Sequence, residues 1–480
     1  MTSTEQRPGE ARSAGPSLQE LLDTDTREVP VSLRDESYVF QGQADVPKSR
    51  YTSPEFAALE AEHLWSRTWQ MACHVDQIPK AGDHVVYDVA DQSLIVTRTS
   101  EGQIKAFHNA CLHRGTKLRV DDGRAASFRC PFHGWRWSLE GELAELPCQW
   151  DFPQVVEATD GARLPEALVA TWAGWVFVNF DLDAEPFESY AAKLIEHFEA
   201  FPSFAERRIA FHAVKEVPAN WKVVMEAFSE GYHVIATHPQ ILEFTADANS
   251  EYSIWPDSKN VSRFVNGFGS QSPHLGELTE QQVADAYAAF SNRNASKGAI
   301  PVAEGQTARQ AVAETFRSAM GGIYRADLTD VSDSEILDAI LYHLFPAFAP
   351  WAGVGQPLVY RWRPGPTPDT SFMDVYRMAP PPDGEERPPP ADTERLTLEQ
   401  SWKESKAMGG LADVFEQDMA NLPRVQAGLK STGKPTVSFG LYQEARLRMF
   451  HRRIDEWIAS GLAAAGRSAE ELAAFEVAEG

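Results

Sequence analysis

Two periodicities divide this chain. From Asp83 to Phe180 apolar and polar residues alternate in short runs, HVVYDV, SLIVTR and IKAFHN, with a turn at Ser100–Gly102. SFRC, GWRWSL and TWAGWVFVNF continue the β-branched and aromatic character. A period of two predicts strands, and their close spacing predicts a small all-β domain. On either side the period lengthens. Ser53 followed by PEFAALEAEHLW predicts an N-capped helix with proline at its first position. SYAAKLIEHFEAF, NWKVVMEAFSEGYHVIA (Asn220–Ala236), a stretch around Leu396–Asn421 and YQEARLRMFHRRIDEWIASGL predict further helices. Pro357–Pro364 and Thr370–Met378 alternate like paired antiparallel strands.

The expected fold class is therefore α+β. An all-β domain with its lead-in helix covers 46–182, and a larger domain of helices against an antiparallel sheet covers 183–465. Residues 1–45 are polar and rich in Pro, Gly and Ser, which predicts a mobile arm with one short helix at Leu18–Leu22. Residues 466–480 form a tail, and the proline-rich Ala379–Asp392 is expected to be an exposed loop.

Composition narrows the partners. The chain has 480 residues with 43% hydrophobic and 24% charged, as in globular proteins of the aqueous phase. A formal charge of −25 argues against nucleic acid and against an anionic membrane surface, leaving small molecules and basic protein patches. Four cysteines are too few for a disulfide framework and point to a reducing compartment. MTSTEQRPGEARSAGPS lacks the apolar core of a secretory signal, and the longest apolar run, Leu168–Phe180, is too short to span a bilayer. A cytoplasmic location is expected.

The chemistry concentrates in Cys111–Trp135, CLHRGTKLRVDDGRAASFRCPFHGW. Cys111 and His113 form one pair, Cys130 and His133 another, each at a predicted strand end. Cys73 and Cys148 lie outside and read as inert small hydrophobes. Zinc accepts two Cys and two His, but its finger pattern pairs Cys with Cys and His with His. Here each loop offers one thiolate and one imidazole, which suits two irons, one held by both cysteines and one by both histidines. Zinc remains the alternative. Gly115 and Gly134 would let backbone N–H groups approach the sulfurs.

A second group lies downstream. Glu230 and His233 fall three apart in a predicted helix, and His238 precedes Pro239, which should end that helix near Thr237 and let the His238 imidazole swing back beside His233. Two histidines at a helix terminus need mean nothing more. However, Asp418 in DVFEQDMANLPRVQAGL shares a helical stripe with Val414 and Leu422, flanked by Phe415 and Met419. An acid on an apolar face is costly unless paired or bound to a cation. Two histidines and one carboxylate are the facial triad of a mononuclear non-haem Fe(II) site.

CLHRG, CPFHGW, NWK…E-x-x-H-x(4)-H, FEQD and the closing FHRRIDEW resemble the large subunits of the Rieske non-haem iron oxygenases, the aromatic ring-hydroxylating enzymes, from about Tyr51 to Trp457. The resemblance implies a Rieske [2Fe–2S] cluster on Cys111, His113, Cys130 and His133, and Fe(II) on His233, His238 and Asp418. It implies a β-sandwich Rieske domain, a helix-grip (START-like) catalytic domain and a head-to-tail homotrimer, with or without a small β subunit. Glu230 is implied to bridge one cluster histidine to one iron-ligating histidine across subunits. The chain departs from most relatives by carrying Glu230 for Asp and Ala227 for Asn. NAD(P)H is implied to supply electrons through a separate flavin/iron–sulfur reductase or ferredoxin, and O₂ and a small organic molecule to be the substrates.

The leading expectation is mono- or dihydroxylation of an aromatic or largely apolar compound, with Phe228, Phe244, Trp255, Phe264, Phe268, Phe345, Phe348 and Trp351 as candidate lining. Monooxygenation or demethylation of a quaternary ammonium compound, such as a betaine or carnitine, uses the same iron; Glu230, which the resemblance associates with the quaternary ammonium branch, points to it together with Trp and Tyr able to cage the cation. A Rieske electron carrier without oxygenase activity is the alternative of another class.

Overall fold

Valine, isoleucine and aromatic residues at alternate positions form strands here because one face of each can be buried while the ladder satisfies the backbone. The computed structural model describes residues 9–156, 162–201, 203–291, 299–381 and 387–476. It resolves two units, Ala61–Phe187 and a larger one built from 1–60 and 188–480.

In the smaller unit, seven strands run in the spatial order Gln70–His74, Trp175–Asn179, Glu166–Trp172, Ile104–His108, Gln92–Arg98, Asp83–Val89 and Gly123–Arg124. Every pairing is antiparallel. A three-stranded sheet of Phe128–Arg129, Arg136–Trp137 and Leu143–Glu145 accompanies it. Ile95, Phe107, Leu118, Phe128, Trp135 and Trp137 close a core around the two cysteine loops. The all-β expectation holds, but residues 46–60 belong to the larger unit.

That unit carries an eight-stranded sheet, ordered Glu251–Ile254, Val261–Asn266, Ala339–Leu344, Phe348–Pro350, Leu358–Pro364, Ser371–Ala379, Arg208–Val217 and Thr393–Leu396. All neighbours are antiparallel except the last pair, which is parallel. The helical reading around Leu396–Asn421 is thus shortened: Leu396 ends a strand, a single 3-10 turn forms at Trp402–Glu404, and α-helix forms over Leu411–Met419. The helix Ala445–Ala464 buries Leu447, Phe450, Ile454, Ile458 and Leu462, one stripe at helical spacing. Phe450 sits against Trp221, His343 and Phe345, so this helix grips the sheet.

The arm expected to be mobile is packed from residue 9 onward; residues 1–8 lie outside those described. Leu18, Leu21, Leu22 and Leu33 are buried, and Ser17 caps the predicted Leu18–Leu22 helix. At Gly267 the arm comes close, and a Cβ there would stand 2.6 Å from Leu21 Cδ1. Partners distant in sequence satisfy the arm's polar groups. Arg309 bridges Asp25 (2.9 Å) and Asp338 (2.7 Å), and Asn249 Oδ1 accepts from the backbone N–H of Arg12 and Ser13. A polar composition misleads where a few leucines at i, i+3 and i+4 suffice to anchor the segment. Of the proline-rich loop, residues 382–386 lie outside those described.

Asn220 caps the helix Trp221–Ala227, its Oδ1 accepting from Lys222 N–H. Lys222 Nζ donates to Glu60 Oε1 at 2.7 Å, both residues buried. Removing one member of such a pair strands a charge in the interior, at about 3–5 kcal/mol. Lys222→Met should therefore lower the thermal midpoint of the larger unit, and Lys222→Met with Glu60→Leu should recover most of the loss. Calorimetry of the two variants checks this; an unchanged midpoint in the single variant contradicts it.

Candidate active site

The two cysteine loops are built alike. Cys111 N–H donates to Thr116 O (2.9 Å) and Cys130 N–H to Trp135 O (2.7 Å), five residues on in each case. Gly115 and Gly134, four residues after their cysteines, return N–H bonds to the cysteine carbonyls at 2.8 and 3.1 Å. Both glycines sit at positive φ, +76° and +80°, where a side chain would strain the turn. The turns present backbone N–H groups to the sulfurs: His133 and Phe132 to Cys130, His113 to Cys111. Burial pushes the Cys111 thiol up, whereas at Cys130 the N–H groups outweigh burial and hold the thiol below its ordinary range.

The histidines meet across the gap, ring centroids 4.5 Å apart. His113 stacks on Trp135 at 5.1 Å, and its Nδ1 is buried with no protein partner. A buried imidazole nitrogen without a partner is costly and suits a nitrogen reserved for metal. Two sulfurs on N–H-lined turns and two converging imidazoles fit a half-imidazole cluster. Cys73 is buried as expected, but Cys148 is exposed at φ +51°, which corrects its reading as a buried hydrophobe.

In the larger unit His233, His238 and Asp418 come together, offering donor atoms that all lie within 4.8 Å of one another. His238 Nε2 is 3.1 Å and His233 Nε2 3.7 Å from Asp418 Oδ1. Both imidazoles turn Nε2 inward because Nδ1 is engaged elsewhere: His233 Nδ1–H donates to Glu230 Oε1 (2.8 Å), His238 Nδ1–H to Gln417 Oε1 (2.8 Å). Burial lowers the pKa of His233, but the hydrogen bond and charge of Glu230 and the charge of Asp418 outweigh it and raise the net value. Two Nε2 atoms and a carboxylate oxygen around one point, with both outer nitrogens already paired, fit a divalent iron.

The local folding differs from expectation in two places. Helix does not continue through Asn220–Ala236; it stops at Ala227 and resumes at Val234–Thr237. Ser229 turns its Oγ onto Met225 O, Gly231 follows Glu230, and Glu230 Oε2 accepts the His233 N–H at 3.1 Å. Glu230 thus reaches His233 from a loop, not along a helix face. The helix does end at Thr237, and His238 leaves helical geometry at φ −124°, ψ 50°. Asp418 is buried on Leu411–Met419 as its apolar neighbours predicted, but Leu422 opens a separate helix, Leu422–Ser431, with Pro423 in its first turn.

Of the eight aromatics expected to line a pocket, Phe228 follows the helix Trp221–Ala227 two residues before Glu230, and Phe264 lies against Gly231. Phe228 packs on Phe415 (5.2 Å), Tyr360 (5.5 Å) and Trp362 (6.4 Å). Burial and then the charge of Asp418 push the Tyr360 phenol upward, and Phe415 stands three residues before Asp418 on Leu411–Met419, both side chains buried. Trp351 reaches this cluster through Tyr360. Phe244 and Phe268 join Tyr287 and Phe316 in a separate core, while Trp255 and Phe345 pack on His197 and Phe450. Tyr360 and Trp362 were missed, although two residues apart in a predicted strand they had to share a face. Gln417 was missed too; its signal was a polar side chain adjoining the buried Asp418.

Residues 68–156 match the Rieske [2Fe-2S] domain family, and residues 198–460 the ring hydroxylating alpha subunit (catalytic domain) family. The carnitine monooxygenase oxygenase subunit of Acinetobacter pittii is 30% identical over 195 residues, 40% of this chain and 52% of that protein. The biphenyl 2,3-dioxygenase subunit alpha of Rhodococcus jostii is 32% identical over 192 residues, 39% and 42% of the two chains. The chain thus spans about half the length of the curated relatives it matches. Two solved structures share the fold. A quaternary ammonium Rieske monooxygenase in complex with L-carnitine has TM-score 0.58 at 18% identity, covering 87% of this chain and 96% of that one. A naphthalene 1,2-dioxygenase bound to phenanthrene has TM-score 0.58 at 19% identity, covering 91% and 96%. Among the described residues no helix is long and apolar enough to cross a membrane. With a Rieske [2Fe-2S] domain followed by the matching catalytic domain, the chain belongs to the ring hydroxylating alpha subunit family of Rieske oxygenases.

Proposed function

We propose that this chain is the terminal oxygenase component that hydroxylates an aromatic or largely apolar organic substrate, with Cys111, His113, Cys130 and His133 holding the cluster and His233, His238 and Asp418 the mononuclear iron. The cluster supplies electrons and the iron supplies O₂ activation. Monohydroxylation consumes O₂, two electrons and two protons, releasing water; cis-dihydroxylation consumes the same and keeps both oxygen atoms in the product.

The observation that carries the reading is the aromatic cluster of Phe228, Tyr360, Trp362 and Phe415, the last on the same helix as Asp418. These rings offer an apolar, water-excluding surface on which a substrate is oriented. Glu230 holds the His233 ring and joins it to the electron path, which runs from the cluster of a second copy in a head-to-tail trimer. A flavin/iron–sulfur reductase or ferredoxin passes electrons from NAD(P)H.

A second reading uses the same rings as a cage for a quaternary ammonium group. Tyr360 and Trp362 offer the electron-rich faces, and two of the relatives and neighbours above act on or bind carnitine. Turnover with a matched reductase decides between the two. The leading reading expects NAD(P)H- and O₂-dependent formation of a cis-diol or phenol from an arene panel. Formaldehyde and a demethylated amine from betaines or carnitine would transfer the assignment to the second reading, and NAD(P)H oxidation without product from either panel would contradict both.

A further inference from the structure

The two triad histidines lean on different chemical groups. His233 Nδ1 faces the carboxylate of Glu230, and His238 Nδ1 faces the side-chain amide of Gln417, each at 2.8 Å. A carboxylate can only accept from an imidazole N–H. An amide can accept or donate, depending on which end is presented, so the orientation of Gln417 decides where His238 carries its proton. With the amide oxygen toward His238, Nδ1 carries the proton and the Nε2 lone pair is the one left to meet a metal ion; Nε2 is the atom 3.1 Å from Asp418 Oδ1. With the amide reversed, an N–H would face Nδ1, the proton would move to Nε2, and the metal-binding lone pair would be lost.

Gln240 braces this amide. Its Nε2 donates to Gln417 Oε1 at 2.7 Å, and Gln417 Nε2 donates back to Gln240 Oε1 at 3.2 Å. Two donors, His238 Nδ1–H and Gln240 Nε2–H, therefore converge on one carbonyl oxygen with two lone pairs. The pair lies on the wall of a cleft of about 350 Å³ lined by Gln240, Lys403, Asp413, Val414 and Gln417. Side-chain hydrogen bonds, and not close packing on all sides, hold the amide.

We infer that Gln417 is a positioning residue for the mononuclear iron, its amide oxygen selecting the metal-binding tautomer of His238, with Gln240 bracing that amide. This rests on His233, His238 and Asp418 being the iron ligands. It also makes the site asymmetric: His233 is backed by a carboxylate and His238 by a neutral amide.

The test is anaerobic titration of the full-length, cluster-loaded protein with Fe(II), and with Co(II) as an absorbing probe. Gln417→Leu should weaken binding about 10–100-fold with the cluster absorption unchanged. Gln417→Glu should restore affinity to within a few-fold of wild type, because its carboxylate accepts the same Nδ1–H. Gln240→Ala, at an exposed position, should give an intermediate loss and keeps the test usable if Gln417→Leu does not fold. Wild-type affinity in Gln417→Leu overturns the inference. So does a Gln417→Glu variant as weak as the leucine variant, since the role would then be one of shape. Wild-type and Asp418→Ala proteins that take up metal equally would instead overturn the ligand assignment on which the inference rests.

Discussion

Asp418→Ala should abolish product formation while leaving the cluster intact. Asp418 is buried between His233 and His238 and supplies the only carboxylate oxygen of the three clustered donors. Two neutral imidazoles alone neither balance the charge of a divalent ion nor complete a facial set. Loss of metal catalysis removes several kcal/mol of transition-state stabilisation, on the order of 10³-fold in rate or more. Expected results are a fall in Fe(II) bound outside the cluster, an unchanged reduced-cluster spectrum, and NAD(P)H-dependent turnover at background. Retained turnover with the variant would remove Asp418 from the metal site.

Glu230→Gln should separate electron delivery from metal binding. The substituted amide can still accept from His233 Nδ1–H, so the ring stays in place and iron remains bound. What disappears is the negative charge that, with the hydrogen bond, raises the His233 pKa against the pull of burial. Product formation should fall about 10–100-fold, as when an outer partner of a ligating histidine is lost. External reduction of the cluster should proceed at the wild-type rate. Stopped-flow reduction followed by single-turnover product analysis makes the distinction. A variant that loses iron in parallel with activity would show that Glu230 serves metal retention alone.

Much of this was legible in the sequence because the chemistry is local. The Cys-x-His and Cys-x-x-His pairs with their glycines lie within about twenty-five residues, and backbone N–H groups of both loops do approach the sulfurs as expected. Asp418 betrayed itself by its apolar neighbours. The misreadings were non-local. The arm is held by Asn249, Asp333 and Arg309, more than two hundred residues away, and no short window contains that information. The break after Ala227 depends on Ser229, Gly231 and the Glu230 side chain acting together against a good apolar period. Phe244 and Phe268 were indistinguishable by type from Phe228; only the tertiary packing, with the helix Glu280–Ser291, decides that those two join a separate core while Phe228 packs on Phe415 and Tyr360.

Iron and acid-labile sulfide, quantified together on anaerobically reconstituted full-length protein, test the central claim most directly. Two kinds of iron site require three irons and two sulfides per chain, with a chelator stripping one iron and leaving the cluster absorption. Two irons with two sulfides and nothing removable, or zinc in place of iron and sulfide, would contradict it.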